Sequence, residues 1–492
     1  MSKQSSEADA EWSRLYIDGE WTGPSSGETI PVENPATRET VAEVPAATED
    51  DVDAAYEAAD AAQPEWEAMG REKRVELVGA FLEEFEARLA EVVDLLVREG
   101  GSTQGKAGQE ATIAMVDFQT ALELEPPEEE VRDSQFFEGK KHHIVHEPVG
   151  VVGVISPWNF PLHLTTRALA PALVLGNTVV VKPASDTPIT GGLWLARVAD
   201  EVGLPDGVVN VVTGRGSDIG DRMAGHPIPR TISFTGSTSV GKRVASQAGS
   251  SIALPALELG GNGPNVVTAD VDVEQAAEVG AVGSFTHQGQ VCISINRHIV
   301  HEDVYDEYVD RLVEHAESLT VGDPAEDGVD FGPVVNESQR DDLLAYVEQT
   351  VEEGATLETG GEAEGLFVEP TVLSDATNDM AASCNEHFGP VAPVIEVSST
   401  EEAIEVANDT EYGLAAAVQC RDLDRARELA DQVEAGMVHV NDHPIQDEPN
   451  APFGGVKESG LGRYNGEWVM DEMVEPKWVS VQHEDRDYDL LE

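Results

Sequence analysis

The stretch VVGVISPWNFPLHLTTRALAPALVLGNTVVVK, residues 151–182, decides the fold. VVGVI is a short, continuous apolar run rich in β-branched residues, so it reads as a strand buried on both faces. TTRALAPALVLG reads as a helix and NTVVVK as a second strand. Strand, helix and strand in about 30 residues is the unit of a parallel sheet.

The rhythm continues outward. ITGGLWLARVADEVG reads as a helix, VVNVV (208–212) and RTISFTG (230–236) as strands, and STSVGKRVASQAG as another helix. A second run starts near 261, with VVT, a helix over 273–285, a strand at 295–300 and a helix over 303–319. The spacing predicts an α/β protein with a doubly wound parallel sheet. Upstream, DDVDAAYEAADAA and VELVGAFLEEFEARLAEVVDLLVREG carry apolar residues at helical spacing, so residues 50–122 read as helices. A polar patch at 125–140 leads into KHHIVHEPVGVVGVISP, which reads as paired strands. WVSVQ near the end is one more strand-like segment, before an acidic tail.

Charge excludes several classes of partner. The chain has 94 Asp+Glu against 30 Lys+Arg, a formal charge of -64. Phosphate backbones and anionic membrane surfaces are both repelled by that balance, so neither nucleic acid nor membrane is expected as a partner. In dilute buffer such self-repulsion works against the compact state. At molar salt the screening length falls to about 3 Å and most of it vanishes. Apolar periodicity runs throughout, which excludes disorder. The composition fits a cytoplasmic enzyme of a salt-accumulating halophile. The polar, acidic start MSKQSSEADAEW carries no signal-peptide pattern. The longest apolar stretch, 168–181, is interrupted by Pro171, Gly176 and Asn177 and is no membrane span. Three cysteines, Cys292, Cys384 and Cys420, form neither a disulfide scaffold nor a zinc motif, and no metal is expected.

Three side chains carry the chemistry. Cys292 lies in HQGQVCISINR (287–297), with Gly289 three residues before it and a strand after it. A lone cysteine is by default a small buried hydrophobe. Glu258, in LPALELGGNGP (254–264), sits between two leucines in a strand-like run; burial would raise its pKa toward the range of a general base. Asn159, in SPWNFPLHLTTR (156–167), is flanked by prolines and aromatics, as a rigid oxyanion amide requires. FTGSTSVGKRV (234–244) places Gly236 and Ser237 at a helix start, where backbone N–H groups attract phosphate. The GxGxxG fingerprint is absent, since TGRGSDIG (213–220) has the wrong spacing.

In chain order PWNFP, VVVKPAS, FTGSTSVG, LELGG, GQVC, NEHFGPV (385–391) and PFGGVKESGLGR (452–463) resemble the aldehyde dehydrogenase superfamily along essentially the whole chain. The resemblance implies an aldehyde dehydrogenase-like fold divided into three parts. Residues 1–125 and 149–260 would bind NAD or NADP, 261–465 would form the catalytic domain, and 126–148 with 466–492 a small β arm for oligomerisation. A homodimer or a homotetramer both fit. It implies oxidation of a small-molecule aldehyde to the acid, with Cys292 as nucleophile and Glu258 as base. The oxyanion would be held by Asn159 and the backbone N–H of Cys292. For the cofactor it implies Lys182 and Ser185 at the adenosine ribose and Gly216 and Gly220 on the adenine side. Gly236 and Ser237 would sit at the pyrophosphate, Glu386 at the nicotinamide ribose, Phe388 beside the ring, and Trp158 through its backbone.

The chain departs from that pattern in places. Ser185 stands where many relatives carry a Glu that repels a 2′-phosphate, so Arg215 or Lys182 could attract one and both cofactors are expected to work. Ala168 and Tyr464 stand where many relatives have Lys and Glu, so their proton-exit route is not available unchanged. His287 is a candidate for the substrate tunnel; Cys384 and Cys420 read as passive. HVNDHPIQDEPNAPFGG (439–455), KPASDTPITGG and HQGQVC are similar to the benzaldehyde and vanillin dehydrogenase branch, which favours aromatic aldehydes. Aliphatic aldehydes or semialdehydes are an alternative substrate class. A Cys-dependent acyl transferase or hydrolase is an alternative activity, and a base placed at Glu258 speaks against coenzyme A as acceptor.

Overall fold

A computed structural model describes residues 12–486 of the 492. The polar leader at 1–11 and the last six residues of the acidic tail lie outside them. Two mixed sheets dominate the structure. The first has eight strands, and its parallel centre runs in the spatial order 209–211, 178–182, 151–155, 231–235, 254–258. We label these β1 (Val151–Ile155), β2 (Thr178–Lys182), β3 (Thr231–Thr235) and β4 (Leu254–Glu258), with Val209–Val211 beyond β2. Short antiparallel strands, Leu15–Ile17 and Glu20–Thr22 at one edge and Gly460–Leu461 at the other, complete it. Because the chain winds one way from β1 to β2 and the other way to β3, a switch point opens between β1 and β3. In open α/β sheets a ligand crevice forms there, beyond the carboxyl ends of the strands.

The doubly wound expectation therefore holds, with antiparallel edges that two- and three-residue strands did not announce. Helix α1 (Gln104–Glu123) covers α2 (Pro161–Leu175), which lies on the sheet. Every residue of α2 is buried. Apart from His163, Thr165, Thr166 and Arg167, which bond to partners inside the protein, its residues are apolar, and the helix is enclosed by helices and sheet together. ITGGL opens as a π turn, Ile189–Leu193, before the α-helix Trp194–Val202. Buried Glu99 accepts the N–H groups of Ile189 and Thr190 at 2.7 and 2.9 Å, while Gly191 and Gly192 lie hard against Pro183. Helices α3 (Gly216–Gly225) and α4 (Thr238–Ser251) follow the strand at 209–211 and β3.

The second sheet has seven strands, all parallel except the edge pair Thr356–Thr359 and Thr371–Ala376. Its centre holds β5 (Gly263–Val267), β6 (Ile295–His301) and β7 (Val391–Val397). Cys292 lies just before β6 and Phe388 just before β7, so the amino ends of this sheet meet the carboxyl ends of the first. A third, three-stranded antiparallel sheet joins Glu130–Asp133, Lys140–Pro148 and Val474–Gln482, with Trp478 exposed on it. Among the described residues no helix is long and apolar enough to cross a membrane.

Candidate active site

Strand ends deliver the site. β1 runs out into Ser156-Pro157-Trp158-Asn159, β3 into Gly236 and Ser237, and β4 ends on Glu258. From the other sheet come Cys292, Glu386 and Phe388. Apart from Ser156, these residues line one chamber of about 250 Å³ with Gly260, Gln339 and Tyr346 among its walls. Residues 159, 258 and 292, far apart in the chain, thus meet.

The loop before Cys292 is held in an unusual backbone shape. His287, Gln288 and Gly289 all have left-handed φ, 50°, 57° and 67°. For the two non-glycine residues this costs roughly 1–2 kcal/mol each. Gly289 is obligatory for a second reason: a Cβ there would fall 2.2 Å from the Gly389 carbonyl oxygen. The turn is tied by Gln290, whose N–H donates to the His287 carbonyl at 3.0 Å and whose Oε1 accepts the Val335 N–H at 3.0 Å. It leaves Cys292 partly exposed in the chamber wall while Cys420 is buried and Cys384 faces out.

Asn159 is cross-braced to that loop. Its side-chain amide donates to the Gln290 carbonyl at 2.9 Å, and its backbone carbonyl accepts from Lys106 Nζ at 2.6 Å. Lys106 is buried and paired with buried Glu110 at 2.5 Å, and Glu110 also accepts the Leu162 N–H at 2.9 Å from the first turn of α2. An anion at a helix start is favourable. Lys106 also sits 4.0 Å over the Phe160 ring. His287 packs edge-on against that ring at 5.5 Å, and burial followed by the Lys106 charge holds it well below the usual histidine range, hence neutral.

Among the described residues neither oxygen of Glu258 has a hydrogen-bond partner, although the residue is only 1% exposed. Burial pushes its carboxyl up to about 8, against the opposing pull of Arg167 and Arg463. Burial and the neighbouring Glu258 push the Cys292 thiol up to about 12. A thiol so weakly acidic becomes a nucleophile by giving its proton to a base, and Glu258 lies in the same chamber.

The chamber also carries groups suited to the pyrophosphate and nicotinamide half of a dinucleotide. Ser237 caps the 14-residue α4 without a side-chain cap bond of its own, which suits the helix start to a phosphate. Glu386 accepts the Gly261 N–H at 3.0 Å, and burial pushes its carboxyl up to about 7. A Cβ on Gly260 would fall 2.2 Å from Glu386 Oε2, so only glycine admits that carboxylate. Phe388, itself left-handed at φ 51°, stands edge-on to Trp158 at 5.4 Å and is steadied by Gln339, which donates to the Phe388 carbonyl at 3.0 Å. Lys182, Ser185, Gly216 and Gly220 do not line the chamber. Lys182 is buried at the end of β2, donating to the Pro183 carbonyl at 2.9 Å, and burial brings its ammonium down to about 8. Ser185 borders a separate recess with Asp186 and Asn336. Gly216 and Gly220 begin α3 with open space where a Cβ would be. All four lie at the same carboxyl edge of the first sheet.

Lys106, Glu110, Arg167 and Asp447 were not singled out as site residues from sequence. A Lys and a Glu four apart in the Ala- and Gly-rich stretch KAGQE, and one Arg in an apolar helix, were the available signals. Ala168 and Tyr464 are both buried; the Tyr464 hydroxyl meets Ser233 Oγ at 2.5 Å.

Residues 21–479 match the sequence pattern of the aldehyde dehydrogenase family. The chain is 44% identical to a vanillin dehydrogenase of Corynebacterium glutamicum, across 95% of this chain and 97% of that one. It is 42% identical to a benzaldehyde dehydrogenase of Bacillus subtilis, across 97% and 99%. A betaine aldehyde dehydrogenase of Staphylococcus aureus, a point mutant solved with NAD+ and a BME-modified cysteine, superposes with a TM-score of 0.94 at 32% identity, covering 96% of this chain and 98% of that one.

Proposed function

The chain belongs to the aldehyde dehydrogenase family and oxidises aldehydes with NAD or NADP, and we propose that it does so on aromatic aldehydes, with Cys292 as nucleophile, Glu258 as base and Asn159 as oxyanion donor. The observation that carries the residue roles is the convergence of these three side chains in one chamber. Cys292 gives its proton to Glu258, which passes it on to solvent, and the sulfur bonds to the aldehyde carbon. The oxygen becomes an anion, to which the Asn159 amide and the Cys292 backbone N–H donate. When bound, NAD or NADP supplies the hydride acceptor, held by Ser237, Glu386 and Phe388. The thioester left on Cys292 is opened by water, and Glu258 accepts that water's proton. Lys182, Ser185, Gly216 and Gly220 would extend the cofactor site along the sheet edge.

Aromatic substrates are supported by the vanillin and benzaldehyde dehydrogenases named above and by the rings of Trp158 and Phe388, which line the same chamber as the thiol. We further propose the three-part division at 125, 149, 260 and 465, with the exposed three-stranded sheet as the arm of a homodimer or homotetramer in a salt-rich cytoplasm. Benzaldehyde with NAD or NADP in molar KCl, following reduced cofactor, tests the reading. Cys292→Ala is expected to abolish turnover, and equal turnover by that variant would overturn it. Faster oxidation of aliphatic aldehydes than of benzaldehyde would reject the aromatic assignment alone.

A further inference from the structure

Helix α2 carries one permanent charge, Arg167, and it is 3% exposed. Its guanidinium carbon lies between two rings, 4.5 Å from the centre of Phe453 and 4.7 Å from that of Tyr464. Nη1 donates to Asp447 Oδ2 at 3.2 Å, whereas Nε has no hydrogen-bond partner. A ladder holds Asp447 from behind. His163 Nε2 meets it at 2.8 Å, His163 Nδ1 meets Asp117 at 2.9 Å, Thr166 donates to Asp117 at 2.7 Å, and the Asn465 amide donates to the other Asp447 oxygen. So many partners fix a side chain that could otherwise swing.

What it is fixed against is the base. Phe453 is followed by Gly454, where a Cβ would fall 3.0 Å from Glu258 Oε1 and 2.8 Å from Arg463 Cδ. Arg167, packed on the Phe453 ring, thus lies behind the Phe453–Gly454 segment that borders Glu258. The groups facing that carboxylate are Arg167 and Arg463, the acids Asp447 and Glu472, the Cys292 thiol and the Tyr464 phenol.

We infer that Arg167 is a positioning residue for the reaction: a fixed positive charge, locked by Asp447 and His163 behind the wall that borders Glu258, that steadies the negative charge formed at Glu258 and Cys292 during turnover. This rests on the reading of Cys292 as nucleophile and Glu258 as base. An arginine suits the task because it does not lose its own proton. In support, Arg167 is the first group opposing burial at Glu258, and it pulls the Cys292 thiol down as well. Asp447 acts on both in the other direction.

That opposition makes the test. The acidic limb of kcat against pH is measured for Arg167→Met, Arg167→Lys and Asp447→Asn, together with the pH midpoint for alkylation of Cys292 by iodoacetamide, read by peptide mass. Arg167→Met is expected to raise both by about one pH unit or more. Arg167→Lys should restore most of the shift, and Asp447→Asn should lower both midpoints. A general loosening of the fold would not move two variants in opposite directions. The inference is overturned if folded Arg167→Met, with unchanged circular dichroism, leaves both midpoints in place, or if Arg167→Lys shifts them as far. Should Arg167→Met not fold, an upward shift in Asp447→Asn overturns it instead. Glu258→Gln separates the two levels: wild-type turnover in that variant would sink the base assignment itself. Loss of the limb there, with no shift in Arg167→Met, would sink only the part played by Arg167.

Discussion

Replacing Lys106 with methionine should cost both stability and rate, for separable reasons. The ammonium is buried, donates to the Asn159 carbonyl at 2.6 Å and pairs with Glu110 at 2.5 Å. Removing it strands an anion that the fold has shielded from water. Breaking a buried pair from one side costs about 3–5 kcal/mol. Glu110 retains the Leu162 and His163 N–H groups, at 2.9 and 3.4 Å, so the lower end of that range is expected. The kinetic cost arises through Asn159, whose backbone loses its tether. Deleting an oxyanion donor outright costs about 10²–10³ in kcat, and a donor displaced but still present should cost about tenfold. The double variant Lys106→Met/Glu110→Gln removes both charges, so it should recover most of the stability but not the rate. Equilibrium denaturation and kcat/KM for benzaldehyde, both in molar KCl, give the two numbers. A Lys106→Met variant as stable as wild type, or a double variant with full kcat/KM, would refute the reasoning.

Other outcomes follow from the same geometry. Glu258 holds its proton up to about 8 in the fold but only to 4.5 as a free side chain, so its contribution to stability is present below 4.5 and is lost as pH rises through 8. Glu258→Gln should therefore melt higher than wild type at pH 9, by up to about 4 kcal/mol, with the gap closing near pH 5 in a calorimetric series. Gly289→Ala forces a Cβ to within 2.2 Å of a carbonyl oxygen at a left-handed residue, and should lose about 2–4 kcal/mol and most activity, read by melting and turnover. A net charge of -64 implies a melting temperature that climbs steadily from dilute buffer to molar KCl; a flat series would remove the halophile reading. With Ser185 beside Asp186 and no carboxylate in its own place, kcat/KM for NAD and NADP should lie within about a thousandfold, roughly 4 kcal/mol.

Regular, local features were legible in the sequence. Strands β1 and β2 and the helix Val273–Phe285 follow from unbroken apolar runs and from 3.6-residue spacing, and the helix agrees to the residue. Glycines and prolines beside Cys292, Glu258 and Asn159 mark them only weakly; their place among seven motifs resembling the aldehyde dehydrogenase superfamily is what makes them a candidate set. What escaped depends on distance in sequence. The hold of Lys106 on Asn159 spans 53 residues and that of Arg167 on Asp447 spans 280, and no periodicity records either. The π turn at 189–193 was hidden because ITGGL reads as ordinary helix until Glu99 takes its N–H groups. The left-handed run at 287–289 was hidden too, since His and Gln carry no sign of it.

The chamber belongs to neither large sheet by itself: one contributes the amide and the base, the other the sulfur. A buried apolar cluster crosses the seam, joining Val152 and Val154 of the first sheet to Val291, Ile293, Leu414 and Ala415 on the side of the second. Turnover therefore depends on that seam staying closed. With a net charge of -64, diluting the salt should loosen this junction along with the rest of the fold, and the chamber it closes is where the loss is read as activity.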